Sequence, residues 1–426
     1  MADTPIIQLL LTGNEIMSGD TVDSNSAAIA LHLAQFGFSI HRKVTLGDDK
    51  QLLSDEIRQM TRQSQVLIIN GGLGPTIDDL TTEIMAEVTG IDLVENPKAL
   101  NHLTQWCKHK GADLNAANLK QALLPKDCEI IDNPIGSAVG FYQTVNECLV
   151  MCTPGVPSEL RSMMGQITSK ISDSLQRAAS VNIMRLQCLG MGESTVQQII
   201  SDQYPDWPEE VELGFRAGSP QLEIKLTTRK AQHISLQAQC KEKLYDLFGD
   251  HIIGEGDKRI AETVIELLNR EGKTLTTAES CTGGVIASML TEIPGSSICY
   301  HAGFIAYTDD IKSSLLNVQS KTLSDHGAVS EATVREMALG AIEKSGADYT
   351  IAVSGIAGPG GGSDDKPVGT VWIAWGTDQS IKTQCLRYNT TRKLFQTMVA
   401  AMGLDLIRRE LIDIPSIPRY FEDKSC

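Results

Sequence analysis

The chain predicts an α/β fold: two doubly wound α/β domains, each a three-layer sandwich, joined by a small α+β domain. Three observations carry this reading. Apolar runs of strand length alternate with helical segments in both the first and the last third of the chain. Between them the texture changes to strands joined by a Gly-Ser-Pro turn and flanked by helices. The chain has 426 residues and is 42% hydrophobic, enough for more than one core.

The first domain is expected over residues 1–168. PIIQLLLTG reads as a strand, SNSAAIALHLAQFGF as a helix and IHRKVTLG as a strand. LLSDEIRQMTRQ follows as a helix and QVLIINGG as a strand. This rhythm implies a mainly parallel sheet, whose ligands bind beyond the C-terminal ends of its strands. ECLVMC reads as a further buried strand. The small domain is expected over 179–254. There VNIMRLQCLG is a strand, GESTVQQIISDQY a helix starting at a Ser cap, and VELGFRAG and PQLEIKLTTR two strands. AQHISLQAQCKEKLYDLFG follows as a long polar helix. The last domain is expected over 258–415. Its strands are KTLTTAES, YHAGFIAYT, YTIAVSG and GTVWIAWG. Its helices are RIAETVIELLNREG, VIASMLTEI, EATVREMALGAIEKSG and a terminal one containing LFQTMVAAMGLDLIRREL.

The net charge of -16 repels phosphate backbones and so disfavours nucleic-acid binding. A local pocket can still take a small phosphorylated ligand. The 10 cysteines include no C-x-x-C pair and are expected to be reduced and mostly buried. No stretch reaches the length of a membrane span, and MADTPIIQLLLTG has no basic n-region. A soluble, cytoplasmic protein without a membrane partner is expected.

In the last domain TTAESCTGG, residues 276–284, lies where a strand gives way to a helix. Ser280 would sit near unpaired helix N–H groups, which stabilise an oxyanion. Gly283 and Gly284 would let a ligand approach the backbone. A plain helix cap by Ser280 or Thr282 explains the same residues. A serine nucleophile needs a base, and no Ser-His-Asp set is evident. Lys312, beyond strand FIAYT, serves if desolvation keeps its amine neutral, with Tyr307 as donor or relay. An ordinary solvated lysine is the competing reading. Cys281 is a rival nucleophile. The Gly-rich loop at 354–369 can wrap a ligand or simply flex.

In the first domain NGGLGPTIDDLT, residues 70–81, follows strand QVLII. Gly71, Gly72 and Gly74 allow a turn whose N–H groups hold phosphate. Asp78 and Asp79 would repel phosphate without a cation, which points to a diphosphate held through a divalent metal. Acidic residues placed to suit a helix dipole are the alternative. Glu15 could be a further metal ligand, and Lys120 in ANLKQALLP a phosphate contact.

TTAESCTGG, GSS, AYTDDIK, HGAVSE, SGIAGPGGG and KPVGTVW, in this order, resemble the C-terminal domain of the CinA (competence/damage-inducible) family. The N-terminal set resembles that family's molybdopterin-binding-like domain, and LGMGES with the following strands its KH-like middle domain. The resemblance implies a C-terminal deamidase that converts nicotinamide mononucleotide (NMN) to nicotinate mononucleotide and ammonia without a cofactor. It makes Ser280 the nucleophile and Lys312 the base, assisted by Tyr307. Thr282, Gly283, Gly284, Ser354, Gly358 and Arg392 would bind substrate. It further implies a metal-dependent ADP-ribose pyrophosphatase in the N-terminal domain. Glu15, Asp78 and Asp79 would hold the divalent metal; Gly71, Gly72, Gly74, Thr76, Asn118 and Lys120 would bind the diphosphate. A homodimer acting in pyridine-nucleotide salvage is the implied assembly. Two other readings stand beside it: an active deamidase with an N-terminal ligand-binding or dimerisation module, and a non-enzymatic pterin-binding or competence-associated adaptor. The family's Tyr-Ser-Asn is here Tyr307-Thr308-Asp309, and its Phe-x-Gly-Asp-Arg is Tyr388-Asn389-Thr390-Thr391-Arg392. Its Gly-Thr-Glu and Asn-Thr-Asn are Gly13-Asn14-Glu15 and Asp23-Ser24-Asn25.

Overall fold

The computed structural model describes residues 5–175, 181–424 and 426. Residue 179, the expected start of the small domain, lies outside the described residues. The chain forms two compact units. One holds the residues up to Asn182 with Arg229–Ala231; the other holds Ile183–Thr228 with Gln232–Cys426.

In the first unit a six-stranded sheet runs in the order Ile40–Leu46, Ile7–Thr12, Val66–Asn70, Cys148–Thr153, Gly140–Val145, Glu129–Ile131. The first four strands are parallel. The last two are antiparallel and extend the expected parallel sheet into a mixed one. Leu9 and Leu11 join one core with Leu160 and Met163, while Leu10 joins the opposite core with Leu53 and Ile57. That two-residue alternation makes the sheet the middle of three layers.

The second unit contains two sheets. The four-stranded one runs Glu212–Ala217, Gln221–Thr228, Asn182–Leu189, Ile252–Glu255. Helices Glu193–Gln203 and Ile234–Phe248 share its core. The first of these helices begins after Gly192 with no side-chain cap, so the expected serine cap is not formed. The five-stranded sheet runs Tyr300–Ile305, Leu275–Glu279, Tyr349–Gly355, Thr370–Thr377, Ser380–Arg387. Its first three strands are parallel and its last two antiparallel. Leu275 belongs to the core with helices Ile260–Glu271, Val285–Thr291 and Arg392–Leu411. Ala278 belongs to the opposite core with Asp309–Leu316 and Glu331–Ser345. The six- and five-stranded sheets are therefore covered on both faces, as an α/β fold requires, while the four-stranded sheet packs its helices into one core.

Two features lie outside the sequence expectations. Cys385 and Cys426 form a disulfide, with Cα atoms 5.5 Å apart, which corrects the reading of all cysteines as reduced. Helix Arg419–Lys424 packs against strand Ser380–Arg387 and brings the chain end to its partner. The other eight cysteines are free and buried. In helix Arg392–Leu411, buried Asp405 accepts from Arg408 Nε and Arg409 Nε, each at 2.8 Å, and from Tyr420 Oη at 3.0 Å. Arg409 also pairs with Asp250. Among the described residues no helix is long and apolar enough to cross a membrane.

Candidate active sites

The parallel strands of the five-stranded sheet end together, and the loops beyond them enclose a cavity of about 170 Å³. Ser280, Cys281, Tyr307, Asp309, Lys312, Ser354 and Arg392 line it. Ser280 follows strand Leu275–Glu279 and is anchored by its N–H, which donates to Val353 O at 3.0 Å. Lys312 lies on helix Asp309–Leu316, whose apolar side packs on helix Glu331–Ser345; the residue is only 1% exposed. Its Nζ donates to Tyr307 O at 3.4 Å and lies 3.7 Å from Asp309 Oδ1. Burial holds the Lys312 amine below the ordinary lysine range, while the Asp309 carboxylate pulls the other way. Burial pushes the Cys281 thiol up to about 12, so at neutral pH it stays protonated and is a poor nucleophile.

Arg392 opens helix Arg392–Leu411 and donates to Gly358 O at 2.9 Å and Tyr307 Oη at 2.7 Å. The tyrosine oxygen thus accepts from the guanidinium and keeps its own proton to donate. Ser354 Oγ donates to Ala328 O at 2.7 Å, tying the strand end to the loop before helix Glu331–Ser345. The structure therefore brings together Ser280, Tyr307, Lys312, Ser354 and Arg392. It does not bring Thr282, Gly283, Gly284 or Gly358 to the cavity wall. Thr282 is buried and its hydroxyl donates inward to Glu279 at 2.7 Å. Gly358 contributes its carbonyl to Arg392.

The first unit has its own cavity, of about 500 Å³, at the C-terminal ends of its parallel strands. Gly71, Gly72, Gly74, Glu15, Asp78 and Asp79 line it as expected. Gly71 has φ 118°, and a Cβ there would meet Thr12 O at 2.6 Å, so the turn requires glycine. Thr76, Asn118 and Lys120 do not line the cavity. Thr76 N donates to Asp79 Oδ2 at 2.9 Å, and Asn118 N to Asn115 Oδ1 at 2.9 Å. Lys120 Nζ donates to Thr76 O at 2.9 Å and Asp79 O at 2.8 Å, bracing the loop from behind. Among the described residues no three His, Cys, Asp or Glu side chains converge on a metal position.

The sequence reading missed Asp48 and gave Asn25 and Asn70 no individual role, yet all three line the same cavity. Asp48 N donates to Asn14 Oδ1 at 3.1 Å, and Asn14 N donates to Asp48 Oδ2 at 3.0 Å. Burial raises the Asp48 carboxyl, and the negative charges of Glu15, Asp78 and Asp79 add to the rise. Asn25 Nδ2 donates to Asn70 Oδ1 at 2.9 Å and to Gly155 O at 2.6 Å. Asp48 follows strand Ile40–Leu46, so the strand-end rule that found Glu15 could have found it too.

Residues 257–411 match the CinA C-terminal domain, and residues 8–173 match a domain described as a probable molybdopterin binding domain. The chain is 52% identical over 425 residues to a CinA-like protein of Colwellia psychrerythraea, covering 99% of this chain and 98% of that one. It is 38% identical over 422 residues to the nicotinamide-nucleotide amidohydrolase PncC of Shewanella oneidensis, covering 97% of this chain and 99% of that one. A crystal structure of the competence/damage inducible protein CihA from Agrobacterium tumefaciens is 41% identical, over 36% of this chain and 93% of that one, with a TM-score of 0.35. The full-length likenesses to the Colwellia and Shewanella relatives make the chain a member of the CinA family.

Proposed function

We propose that the protein is an amidohydrolase that converts NMN and water to nicotinate mononucleotide and ammonia. One observation carries the reading: Ser280 and a buried Lys312, held below the ordinary lysine pKa, open onto one cavity. Packing alone does not require a lysine there, because burying an amine is costly. The name of the Shewanella relative supports the substrate.

In this mechanism Lys312 Nζ takes the Ser280 proton as Oγ bonds to the amide carbon. The oxyanion then collapses, the C–N bond breaks, and Lys312 gives its proton to the departing nitrogen as ammonia. Water attacks the resulting ester, Lys312 accepts its proton, and the Ser280 oxygen leaves and takes that proton back. Tyr307, its oxygen held by Arg392, donates toward the reacting atoms. Ser354 and Arg392 shape the ligand wall. NMN incubated with the protein should yield ammonia, and Ser280→Ala should abolish it. Undiminished turnover in that variant would remove Ser280 from the mechanism.

For the first unit we propose metal-dependent hydrolysis of ADP-ribose to AMP and ribose 5-phosphate. Glu15, Asp48, Asp78 and Asp79 are hard oxygen donors whose mutual repulsion a cation would relieve. Carboxylates of this kind suit a divalent ion that keeps several waters and takes other ligands from a diphosphate. Bound there, such an ion would neutralise phosphate charge and activate water. The glycine turn would cradle the phosphates. AMP release that is lost in Asp79→Ala supports this activity; binding of ADP-ribose or a pterin without turnover would leave a binding module. The protein would act on small nucleotides in the cytoplasm, as a homodimer that light scattering can verify.

A further inference from the structure

The helix terminus beside Ser280 does not present free N–H groups to the cavity, because a residue of the protein already occupies it. Glu279 ends strand Leu275–Glu279 and is 0% exposed. Its Oε2 accepts from Thr282 Oγ1 at 2.7 Å, Gly284 N at 3.0 Å and Ile286 N at 3.1 Å; its Oε1 accepts from Ala287 N at 2.8 Å. All four donors are neutral. A buried carboxylate is costly unless fully hydrogen-bonded, so packing alone would favour an apolar side chain here. The carboxylate closes a loop from the strand end to the first turn of helix Val285–Thr291, and Ser280 rides inside that loop.

The remaining backbone of the turn is nearly used up. Ser280 N donates to Val353 O, Gly283 N to Ser280 O, and Val285 N to Thr282 O. Within residues 280–287, the N–H groups of Cys281 and Thr282 donate to neither a carbonyl nor Glu279 and face the Cys281 sulfur instead. Cys281 lines the cavity and Thr282 does not. The charge of Glu279 also adds to the burial that keeps the Cys281 thiol protonated.

We propose that Glu279 is a positioning residue for Ser280. It fixes the turn at 280–284 by consuming the donors of the following helix, and so sets where the Ser280 side chain stands. This rests on the reading of Ser280 as nucleophile.

The test uses the full chain and measures NMN turnover for wild type, Ser280→Ala and Glu279→Gln, with thermal unfolding alongside. Glu279→Gln keeps the shape but turns an N–H₂ toward N–H donors. A misplaced nucleophile is expected to lower kcat by about 100-fold. KM should stay near the wild-type value, a split that a merely loosened fold would not produce. A Glu279→Gln kcat equal to wild type overturns the inference while leaving the nucleophile in place. Turnover by Ser280→Ala overturns both. If Glu279→Gln does not fold, Thr282→Val removes one donor to the carboxylate. It is expected to lower kcat by about tenfold at an unchanged KM, in line with the loss of one hydrogen bond. Wild-type kcat in that variant overturns the inference.

Discussion

Lys312 is held between opposing influences. Burial lowers its pKa, while the Asp309 carboxylate 3.7 Å away raises it. If the neutral amine is the base, kcat/KM rises with pH through this pKa, which lies below the ordinary lysine value. Asp309→Asn removes the raising influence, so the acid limb should move to lower pH; a kcat/KM profile against pH measures the displacement. Lys312→Met should reduce turnover by about 10²- to 10⁴-fold, the usual worth of a general base, as read by ammonia release. Ser280 and Lys312 were legible because each follows a strand end within a distinctive motif. The burial of Lys312 was not, since a lysine in AYTDDIK gives no sign that helix Asp309–Leu316 will be packed under another helix. The inward turn of Thr282 was not legible for a related reason. Which way its hydroxyl turns depends on Glu279, and the sequence alone gave Glu279 no role.

Helix Arg392–Leu411 shows what an element can hide. Asp405, Arg408 and Arg409 are all buried on it, although their spacing looks like an ordinary solvated helix face. Asp405→Ala would leave two guanidinium groups buried without their shared acceptor. A loss of about 3–5 kcal/mol in urea unfolding is expected, the usual cost of breaking a buried pair. The hairpin between Gly140–Val145 and Cys148–Thr153 turns through Asn146 at φ 51° and Glu147 at φ 66°. That backbone favours Asn-Gly. Glu147→Gly should therefore stabilise the protein by about 1 kcal/mol in the same experiment. Asn-Glu is a weak hairpin signal, which is why the antiparallel strands were not separated in the sequence. The parallel strands were legible because IIQLLL and QVLII are apolar on both faces, as a covered sheet demands.

Across the whole molecule the α/β, α+β, α/β sequence of textures was legible from alternation alone. Long-range ties were not. The link of Cys385 to Cys426 and the pairing of Arg409 with Asp250 join residues whose separation in sequence carries no signal. The two proposed activities should respond differently to metal removal. A chelator should abolish ADP-ribose hydrolysis and leave ammonia release from NMN intact, measured on one sample. The native protein should react slowly with a thiol reagent, because its eight free cysteines are buried. Reduction should then expose two further thiols near the chain end.

The chamber beside Ser280, at about 170 Å³, falls below the roughly 300 Å³ at which sites for larger ligands begin. A chamber of that size suits the carboxamide ring of the proposed substrate, the part that must reach Ser280. On the deamidase reading it acts as a size filter for the ring that carries the scissile amide. Bulk added to the pyridine should block entry.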